Sequence, residues 1–210
     1  VTACGSDGFS LGDDDIYNTD TEKYVSWNWK IGGASTSSYE PTGASAAVTM
    51  QRNTTSGISM IRYIGTGTNV DTNDQELGHG LQVNGTDTKP DMMIFKAQTE
   101  YASGSWAVWH KDMTGNLDTD YLLLNNTNGT ASTSDNIWGG TSGTYGEPTT
   151  TLAYIGFDWN VNKGPNALGT GNTAGYYMGY FFASVEGFSK FGKYVGNSST
   201  DGTYVYTGFR

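Results

Sequence analysis

The chain has 210 residues, with 11 basic against 21 acidic side chains, a formal charge of −10 and a single cysteine. That length suits one large domain with a real core. The acidity sets phosphate backbones and anionic lipid surfaces aside as partners, no apolar run approaches the ~20 residues a bilayer span needs, and one cysteine forms no intrachain disulfide.

Thirty glycines and fourteen tyrosines beside only 15% charged residues describe many short strands joined by turns. The first is YVSWNWKI, residues 24–31, where Val25, Trp27, Trp29 and Ile31 alternate with Tyr24, Ser26, Asn28 and Lys30. Strict period-two alternation predicts a half-buried strand. Further strands are expected at 45–52 (SAAVTMQR), 57–65 (GISMIRYIG), 90–98 (PDMMIFKAQ), 105–112 (SWAVWHKD) and 121–127 (YLLLNNT). After these come 151–159 (TLAYIGFDW), 176–188 (YYMGYFFASVEGF), 189–196 (SKFGKYVG) and 203–209 (TYVYTGF). Turn-rich stretches at 65–74, 83–89, 125–135 and 162–175 separate them, and no amphipathic helix of normal length is present. Closely spaced strands with no helices between them predict an all-β fold, an antiparallel β-sandwich.

The end of the chain echoes its middle. Ser59 and Tyr63-Ile64-Gly65 align with Ser189 and Tyr194-Val195-Gly196, so 187–210 repeats the pattern of 57–80. More faintly, 1–33 echoes 153–183. This predicts three segments: 1–33 as the end of a preceding repeat unit, 34–56 as a linker, and 57–210 as the sandwich unit. A chain that opens on Val1, with neither Met nor a basic leader, is expected to be an excerpt or a processed form of something longer.

The blocks LGHGL (77–81), SWAVWH (105–110), YLLLN (121–125) and VEGFSKFGKYVGN with VYTGF (185–209) resemble a family of repeat-containing structural proteins of marine bacteriophages, virion or tail-fibre components. The resemblance covers most of 57–210 and, more loosely, 5–33. It implies a concanavalin A-like (laminin G-like) jelly roll and supplies no catalytic residues. The sequence departs from the pattern at 82–91, with extra polar residues, and at 160–175, with a longer Gly/Asn loop.

Candidate chemistry is sparse. Retaining glycan hydrolysis needs two carboxylates about 5 Å apart. Asp118-x-Asp120 has same-face strand spacing, yet it lies in the polar turn TGNLDTDY, and the glutamates are scattered singly. No nucleophile elbow accompanies the serines. Cys4, near a chain end, reads as an incidental thiol. His79, between glycines, and His110, on the strand face of Trp106 and Val108, read as packed histidines without partners at metal-ligand spacing. Ca²⁺ is the one ion the oxygen-rich turns suit, through Asp71, Asn73 and Asp74, or Asp118 and Asp120; no other cofactor is expected. Aromatic rings beside Gly/Asn loops could stack on sugars, and these are Trp138, Tyr145 and Trp159. The expectation is a non-enzymatic virion module, a tail fibre, spike or capsid-surface part. Its partners are other copies of itself, neighbouring virion proteins and host-surface glycan. The alternatives are a cellular Ca²⁺-dependent laminin G-like lectin, a self-assembling extracellular surface protein, or a glycan hydrolase.

Overall fold

The computed structural model describes residues 2–13, 15–32, 36–66, 75–98, 104–113, 115, 117, 119–127, 129, 131–132, 137–139, 146–156, 158, 160–162 and 175–209. The chain divides into two units, Val1–Lys30 and Ile31–Arg210. In the first, β1 (Ala3–Cys4) pairs antiparallel with β2 (Phe9–Ser10), and a single helical turn, α1 (Asp15–Asn18), follows. Residues 24–31, expected as a strand, form none; Val25 and Trp27 are 82% and 77% exposed. Alternation yields a strand only where a ladder and a covered face stabilise it.

The second unit is an antiparallel β-sandwich. Its strands are β3 (Ser37–Tyr39), β4 (Val48–Asn53), β5 (Ile58–Ile64), β6 (Gln75–Gly78), β7 (Gln82–Val83), β8 (Thr86–Asp87) and β9 (Met92–Ala97). Then come β10 (Ala107–His110), β11 (Asp120–Leu123), β12 (Ala131–Ser132), β13 (Leu152–Ile155) and β14 (Tyr176–Phe182). The main sheet runs β12-β11-β10-β9-β14-β5-β4-β3, and β6 with β13 forms a second, smaller sheet. The last strand, β14, lies in the middle of the main sheet, so the sheet is completed only when the chain returns from its far end. Residues 34–56, expected as a linker, supply β3 and β4 instead. The segments 189–196 and 203–209, whose pattern predicts two strands, form none; Ser189 makes an isolated bridge to Val185, and Tyr194, Val195 and Tyr204 are exposed.

Local chemistry sets the turns. Asn53 ends β4, and its Oδ1 accepts from Thr55 N and Ser56 N, each at 3.1 Å. Gly57 follows at φ 63°, where an added Cβ would meet the Ala183 carbonyl at 2.9 Å. The β7–β8 hairpin turns through Asn84 (φ 51°) and Gly85 (φ 83°), the Asn-Gly pairing that a two-residue hairpin favours.

Period-two alternation puts Ile61, Tyr63, Phe95, Trp109, Tyr177 and Phe181 on one face of the main sheet, all buried. Leu77 of β6 and Ala153 and Ile155 of β13 close over them, with Leu81, Ile137, Trp138 and Val161 between. The rings interlock: Tyr63 stacks on Tyr177 at 5.5 Å, and Phe95 meets Phe181 edge-on at 5.6 Å. Such pairs contribute ~1 kcal/mol each beyond their buried area. Polar tips are satisfied from within: Tyr63 donates to the Val161 carbonyl at 2.6 Å, and Trp138 Nε1 to the Asp120 carbonyl at 2.7 Å.

Candidate functional site

On the opposite face of the main sheet, the described residues cover one end. There Ile58, Ile94, Val108 and Phe182 are buried beneath Ile31 and Phe191, and Phe191 packs on Phe182 at 5.5 Å. The covering chain is anchored by Asp91, whose carboxylate accepts from Ser184 N at 2.8 Å and from the Ser184 hydroxyl, and pairs with Lys111 at 2.9 Å. Burial works to raise the Asp91 carboxyl, but these donors overrule it and hold it below its ordinary value.

The other end of this face is open, and the ladder dictates who lines it. Arg62 sits opposite Met178, and Met178 opposite Lys96. Because Ala107 pairs with Phe95 and with Leu123, the same row continues to Trp106 and Leu124. The next row, Met60, Tyr180, Ile94 and Val108, leads under the covered end, where Ile94 and Val108 are buried. At ~4.8 Å per strand the row from Arg62 to Trp106 spans about 14 Å. Trp106 is 37% exposed and Leu124 57%, Arg62 is exposed, and Lys96, Met178 and Tyr180 are half-buried.

The side chains on this row hold one another in place. The Trp106 and Tyr180 rings lie 6.4 Å apart, tilted 31°. The Lys96 ammonium sits 5.9 Å over the Trp106 ring and donates to the Gly104 carbonyl. The Arg62 guanidinium lies 3.8 Å from the Tyr176 ring centroid, and its Nε donates to Gln98 Oε1 at 2.8 Å. Burial pushes the Tyr180 hydroxyl above its ordinary value, so it stays protonated and able to donate. Rigid rings with polar tips, interleaved with fixed cations and an amide, are the parts from which sugar-binding faces are made.

The rings expected at Gly/Asn loops are not those of this row. Trp138 is fully buried, tilted against Phe95 at 5.6 Å, and a ring with no exposed face cannot stack on a sugar. Tyr145 and Trp159 lie outside the described residues, as do Asp71, Asn73, Asp74 and Asp118. Asp120 opens β11 and is 8% exposed; its carboxylate accepts from the Thr119 hydroxyl at 3.2 Å and packs on Gly115, where an added Cβ would lie 1.9 Å from Oδ2. Among the described residues no three His, Cys, Asp or Glu side chains gather to hold a metal ion. Cys4 is an exposed free thiol.

Both histidines are packed, as their flanking residues suggest. His79 is buried against Phe181 at 5.3 Å. Its Nδ1 accepts from Leu81 N at 3.1 Å, and its Nε2 faces the Thr149 carbonyl at 3.3 Å. A carbonyl only accepts, so the ring is the neutral Nε2–H tautomer. Burial lowers its pKa from 6.5 to about 4. His110 is half-buried, with Nδ1 accepting from Asp112 N at 3.0 Å, and burial pulls it below its ordinary value too. The Ser59 hydroxyl donates to the His79 backbone carbonyl and not to its ring, so the two do not form a nucleophile–base pair.

Over residues 1–210 the chain matches the model of a family described as a domain of unknown function, DUF7483. The chain belongs to that family. No curated protein and no solved structure matches it.

Proposed function

We propose that the chain is a non-enzymatic structural and adhesive module of a bacteriophage particle, displayed on the particle surface as part of a fibre, spike or capsid decoration. Its work is to hold host-surface glycan on the open face of the main sheet. The observation that carries this reading is the row Arg62–Met178–Lys96–Trp106 with Tyr180 and Tyr176 beside it, an aromatic and cationic strip that the described residues leave accessible next to the buried cluster of Ile58, Ile94, Val108 and Phe182. The resemblance of the 77–81, 105–110, 121–125 and 185–209 blocks to phage structural repeats supports the setting. A single such strip binds weakly, and repetition of the module on one particle would raise avidity by orders of magnitude without new contacts.

The test pairs binding with stability. Trp106→Ala should abolish retention on immobilised host envelope polysaccharide. Because Trp106 is 37% exposed and lies outside the buried core, the variant should lose about 1–3 kcal/mol and stay folded, which urea unfolding checks. Undiminished retention would sink the proposed face. Absence of the protein from purified particles, checked by mass spectrometry, would sink the virion setting separately.

A further inference from the structure

Resting on that reading, we infer that the glycan this face takes is anionic, a polymer bearing carboxylate or sulfate groups, with Arg62 and Lys96 as its two charge contacts.

The argument begins with the charge of the whole chain. Acidic side chains outnumber basic ones 21 to 11, so a random patch of this surface is negative. The open row, and the half-buried row beside it that leads to buried Ile94, run against that trend. Thr49, Arg62, Met178 and Lys96 follow one another across β4, β5, β14 and β9, and Gln51, Met60, Tyr180 and Ile94 form the next row. None of these eight positions is acidic, and two are cationic.

Among the described residues neither cation is spent on a carboxylate. Among the described residues the ion pairs are Lys89 with Glu147 and Lys111 with Asp91. Arg62 and Lys96 are held by neutral groups instead, namely the Tyr176 ring and the Gln98 amide, and the Trp106 ring and the Gly104 carbonyl. These contacts fix position and leave the charge unneutralised. Arg62 commits only its Nε, so among the described residues its two terminal amino groups make no hydrogen bond. They form the half of the guanidinium fork that matches a carboxylate or sulfate in a bidentate manner. Lys96 uses one of its three donors on Gly104.

Placement adds to this. Arg62 and Lys96 stand two strands apart on one row, about 10 Å, with Met178 between them. Trp106 and Tyr180 continue the strip beyond Lys96. A polymer lying along the row would rest apolar sugar faces on Trp106 and Met178 while its acidic groups met the two cations. Nucleic acid fits less well, because the remaining surface of a chain with charge −10 repels a phosphate backbone on either side of so narrow a strip.

The experiment uses the full chain and two polymers of one backbone, polygalacturonate and its fully methyl-esterified, neutral form, with affinities measured by calorimetry. The acidic polymer should bind about tenfold or more tightly than the ester. Raising the salt from about 50 mM to about 300 mM should erase most of that difference, since exposed charge contacts are screened. The double variant Arg62→Gln/Lys96→Gln should bind the two polymers alike. Equal binding of both polymers by the wild type, insensitive to salt, would overturn the anionic assignment and leave the adhesive reading standing. No binding of either polymer would overturn both. A preference that survives in the double variant would move the charge contacts elsewhere and overturn the assignment to Arg62 and Lys96.

Discussion

Lowering the pH from 7 to 5 should destabilise this protein through one identifiable ring. His79 is enclosed with both nitrogens engaged, and charging it would put a proton on Nδ1, where the Leu81 amide already donates. Burial holds its folded pKa at about 4, against 6.5 for a free imidazole. The folded state thus binds this proton less tightly than the unfolded state. The stability it protects is complete above pH 6.5 and is lost as the pH falls toward 4. The gap between the two pKa values corresponds to about 3 kcal/mol in full, of which about 2 kcal/mol is gone by pH 5. His110 pulls in the same direction, more weakly because it is half-exposed. Asp91, held below the ordinary carboxylate range, loses its contribution only at lower pH still. Urea unfolding at pH 7 and pH 5 measures the loss, and His79→Gln should flatten that slope whatever it does to absolute stability. The chain has two histidines, so their ring signals in an NMR titration report each directly. A His79 signal that titrates near 6.5 in the folded protein, or equal slopes in wild type and variant, would refute the reasoning.

Three further outcomes follow from the packing. Trp109→Phe and Trp138→Phe remove the same atoms from the same core, but only Trp138 loses a hydrogen bond, to the Asp120 carbonyl, because Trp109 Nε1 is buried without a partner. Trp138→Phe should therefore cost about 1–2 kcal/mol more in urea unfolding, and equal costs would mean that the bond contributes nothing. Gly179→Ala would set a Cβ 3.0 Å from both Phe95 and Phe181, in the centre of the sheet, and should destabilise by about 1–3 kcal/mol; an unchanged Tm would show that the rings can give way. Asp91→Ala should cost about 1–3 kcal/mol and speed hydrogen exchange of the Ser184 amide, and protection retained at Ser184 would show that the covering segment is held by other contacts.

Much of the sandwich could be read from alternation. The strands expected at 45–52, 57–65, 90–98, 105–112 and 176–188 coincide with β4, β5, β9, β10 and β14, with β4 running one residue further to Asn53. The expected strands at 24–31, 189–196 and 203–209 have equal alternation and no ladder. Pattern reports what a segment could pair with, and pairing needs a neighbour that the pattern does not name. The candidate site was legible by halves. Parity alone separates Trp106 from Trp109, since residues three apart on a strand face opposite ways. Which parity faces inward depends on what covers each side, β6 and β13 on one and, among the described residues, Ile31 and Phe191 on the other. The Arg62–Tyr176 contact arises from the β5–β14 pairing, which joins residues far apart in the chain. Trp138 misled because glycine neighbours suggest an exposed turn, whereas the ring fills the core beneath β11 and hydrogen-bonds its backbone.

The most direct test of the open sheet face as the binding surface is a residue-resolved footprint, the amide chemical-shift changes as polygalacturonate is added to the labelled protein. The account predicts that the changes cluster on Arg62, Lys96, Trp106, Tyr176 and Tyr180, with the buried face of the same strands silent at Tyr63 and Phe181. Changes confined to the loops around Trp138 or to the exposed segment beyond Phe191, with the Arg62–Trp106 row unmoved, would contradict it.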